Sequence, residues 1–214
     1  MIVLVINFNR INLTIKTCEF CVTHGLEPIV IDNNSSYRPL LDYYKNDCPY
    51  HVVRLKYNYG HRVIWDANIL DMLGIKEGYI LTDPDLDFTG IPSDFLEVLK
   101  EGLNKYKKAQ KCGFSLDYID LPDGKVKDWE KSLWQAPLDN LYFKAPIDTT
   151  FALYRADIRH YTINDCIRTN RPYTARHIPW TYRLEKVKYL EKDEQFYLRT
   201  CNASASIKTN ILKK

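Results

Sequence analysis

Three carboxylates stand at alternate positions in Gly78-Tyr-Ile-Leu-Thr-Asp-Pro-Asp-Leu-Asp-Phe-Thr-Gly90: Asp83, Asp85 and Asp87. Acids that close repel one another and are costly to desolvate, so a cation is expected among them. A divalent ion held through oxygen ligands is the natural candidate. Tyr79 to Thr82 is a short β-prone run, and Pro84, lacking an N–H, resists continuing a central strand. The spacing therefore predicts a metal site at the carboxyl end of a sheet strand.

Two later residues add to the chemistry. Asp148, near the start of an expected strand in Ala145–Arg155, is a candidate base or charge-stabilising group; its alternative is a turn-bonding aspartate. His177, in Arg176-His-Ile-Pro-Trp180, offers an imidazole; its alternative is a histidine held in a Pro- and aromatic-rich turn.

The elements that must position these groups follow from hydrophobic pattern. Ile2–Ile6 and Pro28–Asp32 are near-continuous apolar runs, as in strands covered on both faces. His51–Leu55 and Tyr79–Thr82 supply a third and fourth strand. Between them, Ile11, Ile15, Cys18 and Val22 fall at helical spacing before Gly25, and Pro39–Asn46 reads as helix. A further helix is expected over His61–Leu73, closed by Gly74. This alternation predicts an α/β fold, a mostly parallel central sheet flanked by helices. Such sheets bind ligands at their strands' carboxyl ends. The loops Asn7–Arg10, Asp32–Ser36, Asn58–Gly60 and Asp83–Asp87 all belong to that end.

Beyond the acids, Ser93 is the expected cap of a helix bearing Phe95, Leu99, Leu103 and Tyr106, and Lys105, Lys107, Lys108 and Lys111 read as solvated. Cys112–Leu116 reads as strand. Asp117–Leu141 reads as a long irregular loop with Trp129 and Trp134, either an acceptor-side flap or a surface excursion with tryptophans in the core. A polar segment follows with Arg155, Arg159, Arg168 and Arg171. Asp193 onward reads as a helix around Phe196 and Tyr197, then a Ser-, Ala- and Lys-rich tail.

At 214 residues the chain is most simply one domain, a half to residue 116 and a second half over 117–214. Its net charge of +3 does not argue for nucleic acid. No apolar stretch is long enough to span a bilayer and no signal peptide is legible, so a cytoplasmic protein is expected. Of six cysteines, only Cys18 and Cys21 form a C-x-x-C pair; lying inside a helix, they read as buried thiols. Sequons begin at Asn12, Asn34 and Asn202.

The order strand, helix, strand with Asp32, helix, strand, Asn58-Tyr-Gly60, helix, apolar strand, Asp83-Pro-Asp85 resembles glycosyltransferases of the GT-A fold, small chlorella-virus domains included. The likeness covers Met1 to about Leu116 well and the rest loosely. It implies transfer of a sugar from a nucleoside-diphosphate sugar, UDP-linked by expectation, to a glycan acceptor. It implies that Asn7, Asn9 and Arg10 cup the nucleotide, that Asp32 accepts from the uracil N–H, and that Asn58, Gly60 and Arg62 lie beside the nucleotide. It implies that Asp83 approaches the ribose or the metal, that Asp85 binds Mn²⁺ or Mg²⁺, and that His177 closes the metal shell. It implies that Asp148 is the group near the reacting sugar carbon, and Asp87 is an acid outside its simplest motif.

Rival readings remain open at this level. Asp85-Leu-Asp-Phe-Thr89 also resembles the motif of haloacid-dehalogenase-type Mg²⁺ phosphatases, although three strand–helix units precede it. A sugar nucleotidyltransferase would carry a Gly-rich loop after strand one, which Asn7-Phe-Asn-Arg10 lacks. A non-catalytic nucleotide-sugar-binding module is the non-enzyme alternative.

Overall fold

The computed structural model describes residues 1–202 of the chain; the expected Ser-, Ala- and Lys-rich tail lies outside them. In order, the elements are β1 (Ile2–Asn7), α1 (Asn12–Thr23), β2 (Glu27–Asp32), α2 (Arg38–Asn46), β3 (His51–Arg54), α3 (Val63–Asp66), α4 (Ile69–Met72), β4 (Tyr79–Thr82) and β5 (Leu86–Asp87). There follow α5 (Phe95–Lys105), β6 (Lys111–Leu116), α6 (Lys125–Ser132), β7 (Tyr142–Lys144), β8 (Ala152–Tyr154), β9 (Cys166–His177) and α7 (Lys192–Thr200).

The strands join in the order β3-β2-β1-β4-β8-β6-β9-β5, with β7 also on β9. The first four strands are parallel, as the alternating pattern predicts. Beyond β4 the sheet turns mixed: β8 runs antiparallel to both β4 and β6, while β9 runs parallel to β6. Val3, Leu4, Val5, Val30 and Ile31 have no exposed surface, so β1 and β2 are covered on both faces. One face packs on Phe20, Phe88, Phe95, Phe114 and Phe151, whose rings stack or meet edge-on. The other buries Ile64, Ile69, Tyr79 and Tyr154. Among the described residues, no helix is long and apolar enough to cross a membrane.

Several local expectations are corrected. In α1 the buried face is Leu13, Thr14, Thr17, Cys18 and Cys21, whereas Val22 is exposed. Two threonines can face inward because Thr14 donates to the Arg10 carbonyl and Thr17 to the Pro84 carbonyl, each at 2.9 Å. Gly25 then takes φ +69°, the left-handed stop expected of it. The helix expected over His61–Leu73 is two short helices, broken where Asn68 adopts φ +51°. Asp94, not Ser93, precedes α5, and neither caps it through a side chain. Lys111 is fully buried, not solvated, donating to the Asp148 carbonyl (3.0 Å) and the Tyr154 hydroxyl (2.7 Å). Burial lowers its pKa to about 8.

The stretch 117–141 holds α6, so it is not wholly irregular, and the polar segment after Arg159 contains the twelve-residue strand β9. Asp148 lies in the loop before β8, not at a strand start. Cys18 and Cys21 are buried thiols, and burial raises the Cys21 pKa to about 12, which suits a packing role.

Candidate active site

The carboxyl ends of β1, β2 and β4 and the loop after β3 open onto one cavity of about 520 Å³. Arg10, Asn58, Gly60, Asp83, Asp85, Asp148 and His177, all expected site residues, line it. Phe8, Asn33, His61, Thr149 and Tyr197 line it too. The strand-end rule for parallel sheets thus locates the site, and the four loops it names all reach it.

Arg10 is the electrostatic centre. Its Nη1 donates to Asp85 Oδ2 at 2.6 Å and its Nε to Glu194 Oε1 at 2.7 Å. The Tyr197 ring lies 3.6 Å from the guanidinium carbon. All three ion-paired side chains are at most 8% exposed, so they are shielded from solvent. Burial alone would lower the Arg10 pKa, but Asp85 and Glu194 outweigh it and hold the guanidinium firmly charged. Glu194 is pushed up by burial and also accepts from the Tyr182 hydroxyl at 3.0 Å.

The two acids of Asp83-Pro-Asp85 have opposite environments. Burial works to raise Asp85, yet His177 and Arg10 prevail and hold its carboxyl below the usual range. Asp83 is pushed well up, first by burial and then by the neighbouring Asp85 charge, and accepts a very short hydrogen bond from the Thr149 hydroxyl. His177 Nε2 stands 3.6 Å from Asp85 Oδ2, and burial lowers the imidazole pKa. Backbone pairing fixes these groups together: Leu86 and Asp87 pair antiparallel with His177 and Arg176, and Ile178 N donates to the Asp85 carbonyl.

The remaining expected residues fall outside the cavity lining. Asn7 is buried and donates to the Arg10 carbonyl and the Tyr44 hydroxyl, each at 2.7 Å. Asn9, at φ +59°, uses Oδ1 to accept from the Ser36 and Tyr37 amides. Both shape the loop that presents Arg10. Asp32 is fully buried with Oδ2 on Arg54 at 3.1 Å, and its Oδ1 has no partner. Arg62 is on the surface, paired with Asp66 at 3.2 Å and lying over the Tyr161 ring, whose hydroxyl donates to Asp148 at 2.9 Å. Asp87 turns its Oδ1 to the Thr89 amide and hydroxyl and lines a different groove.

The arginines of the polar segment in the C-terminal half are engaged away from the cavity. Arg168 pairs with Glu130 at 2.6 Å, Arg171 with Asp117 at 2.8 Å and Arg159 with Asp71, while Arg155 donates to carbonyls. Among the described residues, the arginine that lines the cavity is Arg10, from the first loop. Sequence reasoning also missed α7 as a wall. Asp193 caps the start of α1 through the Ile11 and Asn12 amides (2.8 and 2.9 Å), so Glu194 and Tyr197 reach Arg10. Asn33 was missed as well; it accepts from the Tyr59 amide at 2.8 Å and donates to the Gly60 carbonyl at 2.9 Å, clamping the Asn58–Gly60 turn. Gly60, at φ +70°, suits that turn, in which its amide donates to Asn58 Oδ1.

The donor types fit a Mn²⁺ or Mg²⁺ ion. Asp83, Asp85 and His177 line one cavity, and Asp85 Oδ1 and His177 Nδ1 are buried without hydrogen-bond partners. Among the described residues no three such side chains are grouped closely enough to hold an ion as they stand, Asp85 Oδ2 being engaged by Arg10.

No protein-family model matches the chain, and no curated protein sequence matches it. Solved structures do. The mannosyltransferase PcManGT from Pyrobaculum calidifontis, in complex with GDP-Man and Mn²⁺, aligns over 94% of this chain and 70% of its own, with TM-score 0.51 and 11% identity. The chain has a GT-A-like fold. TarS from S. aureus in complex with UDP-GlcNAc aligns over 72% of this chain at 15% identity, with TM-score 0.44. The chain spans 45% of that TarS structure's length.

Proposed function

We propose that this chain is a metal-dependent glycosyltransferase that moves a sugar from a nucleoside-diphosphate sugar, UDP-linked by preference, to a carbohydrate hydroxyl. The observation that carries this reading is convergence: Arg10, Asp83, Asp85, Asp148 and His177, far apart in sequence, meet at one cavity where parallel strands end. A Mn²⁺ or Mg²⁺ ion held by Asp83, Asp85 and His177 would supply the positive charge against which a diphosphate departs. Arg10, anchored from behind by Glu194, presents a second cation to the same phosphate oxygens. The turn of Asn58 and Gly60, clamped by Asn33, supports the nucleotide. The unpartnered Asp32 Oδ1 offers an acceptor to a base N–H, while Oδ2 stays on Arg54.

Asp148 serves the reacting sugar carbon, steadied by the Tyr161 hydroxyl. If configuration inverts, it takes the proton from the acceptor hydroxyl as the new glycosidic bond forms. If configuration is retained, it steadies positive charge on the sugar ring. Residues 1–116 hold the donor in this reading, and 117–202, His177 and Asp148 among them, supply the acceptor side.

The phosphatase alternative needs Asp85 and Asp87 at one centre, but Asp87 bonds Thr89 and lines a separate groove. A non-catalytic module would be expected to have lost its acids, and Asp83 and Asp85 are both at the cavity. The test is calorimetry with UDP and GDP, each with and without Mn²⁺, followed by a screen of UDP-, GDP- and dTDP-sugars for Mn²⁺-dependent hydrolysis. Metal-dependent nucleotide binding with turnover of one donor is expected. Failure to bind or hydrolyse any of them defeats the proposal, and binding without turnover favours the module.

A further inference from the structure

Three of the four tryptophans are half-buried, but Trp129 is 52% exposed on the surface of α6. Trp134 meets Phe143, Tyr118 and Arg171, and Trp65 meets Tyr154 and Tyr161, so both have packing partners that explain them. The ring neighbour of Trp129 is Trp180, edge-on with centroids 6.3 Å apart. Trp180 in turn lies 4.5 Å from His177, which lines the candidate active site. An aromatic row therefore runs from the cavity out to the surface in two ring-to-ring steps.

The helix that carries the outer ring is anchored from within. Glu130, the next residue on α6, is completely buried, with Oε1 on Arg168 Nη1 at 2.6 Å. Adjacent helical residues point about 100° apart, so anchoring Glu130 inward fixes Trp129 at the side of the helix, beside Trp180. What sets Trp129 apart from a lone exposed ring is its contact with Trp180, which leads back to His177 at the cavity. Arg176, next to His177, pairs with Asp120 at 3.3 Å on the surface and adds hydrogen-bonding groups to the same segment.

We infer that Trp129, braced edge-on by Trp180, is a stacking platform for a pyranose ring of the carbohydrate acceptor, two ring contacts out from the cavity at His177. The C–H face of a sugar packs on an indole, while its hydroxyls meet charged groups at the rim, as mixed apolar and polar sites require. This rests on the glycosyltransferase reading for the word acceptor, but sugar stacking on Trp129 stands or falls separately.

The experiment is saturation-transfer-difference NMR on the full chain with six probes, the methyl glycosides of glucose, galactose, mannose, xylose, fucose and rhamnose. At least one should receive saturation on its ring C–H face. Trp129→Ala should weaken that binding about tenfold, and Trp129→Tyr, which keeps an aromatic face, should restore most of it. Circular dichroism checks that both variants keep the fold. No contact with any glycoside, or equal contact by Trp129→Ala, overturns the platform. Nucleotide calorimetry separates the two claims: UDP or GDP binding without glycoside contact defeats the platform alone. Trp129-dependent glycoside contact without nucleotide binding upholds the platform and defeats the donor reading.

Discussion

Replacing Arg10 by Met tests both the electrostatics of the site and the assignment of Asp85 as a metal ligand. The guanidinium is 4% exposed and bridges Asp85 and Glu194, themselves 8% and 5% exposed in their side chains. Removing it leaves two buried carboxylates without their cation. Breaking a buried pair in this way costs about 3–5 kcal/mol. For a chain of this length each kcal/mol moves the melting temperature by about 2–4 °C, so Arg10→Met should melt roughly 10 °C lower. The same change frees Asp85 Oδ2 for a divalent ion, which in the wild type must compete with the 2.6 Å ion pair. At 100 times its Kd, Mn²⁺ contributes about 2.7 kcal/mol, returning roughly 8 °C to the variant. Wild type should gain less at the same Mn²⁺ concentration. Differential scanning fluorimetry of both proteins, in EDTA and across a Mn²⁺ titration, reads these shifts. Equal Mn²⁺ shifts in the two proteins would refute Asp85 as a ligand in competition with Arg10. A variant melting within about 2 °C of wild type would refute the buried-pair estimate.

Three further outcomes are expected. His177→Ala should weaken Mn²⁺ binding by at least about tenfold, since removing even an outer partner of a metal ligand costs that much; unchanged affinity removes its ligand role. Asp148→Asn should lower transfer by about a hundredfold or more while UDP binding by calorimetry is unaltered, and full transfer activity would remove Asp148 from the reaction. Lys111 should impose a pH dependence on stability. Burial lowers its pKa from 10.5 to about 8, so across that window the folded chain has shed a proton that the unfolded chain keeps, and stability rises with pH. Chemical denaturation should show wild type gaining roughly 3 kcal/mol on Lys111→Met between those two pH values; a constant difference would mean that Lys111 is not titrating in the folded state.

The location of the candidate site was legible because it depends on strand direction alone. Continuous apolar runs at β1 and β2, the β-prone run at β4 and short connections imply parallel strands, and parallel strands gather their carboxyl-end loops. Asp83 and Asp85 could be placed together from their spacing and Pro84. The element errors share a cause: an apolar period says which side of a helix can be buried, not which side is. Thr14 and Thr17 face inward because carbonyls accept from them, that of Arg10 one turn back and that of Pro84 across the packing interface. Asn68 breaks a helix its neighbours would continue.

What the sequence by itself determined is the local grammar: three strand–helix units before a fourth strand, acids at that strand's end and the helix stop at Gly25. What only the tertiary structure decided is which charges face one another. Arg10 and Glu194 are 184 residues apart, and their pairing at 2.7 Å depends on α7 docking through Asp193 on the start of α1. Lys111 reads as a surface lysine beside Lys105, Lys107 and Lys108, yet β6 sits between two strands and carries it inside. Asp87, spaced like its two fellow acids, is taken out of the site by its pairing with Arg176 on β9. Long-range contact chooses partners for charged groups because the low-dielectric interior makes each pairing strong and each unpaired charge costly, and no spacing along the chain records that choice.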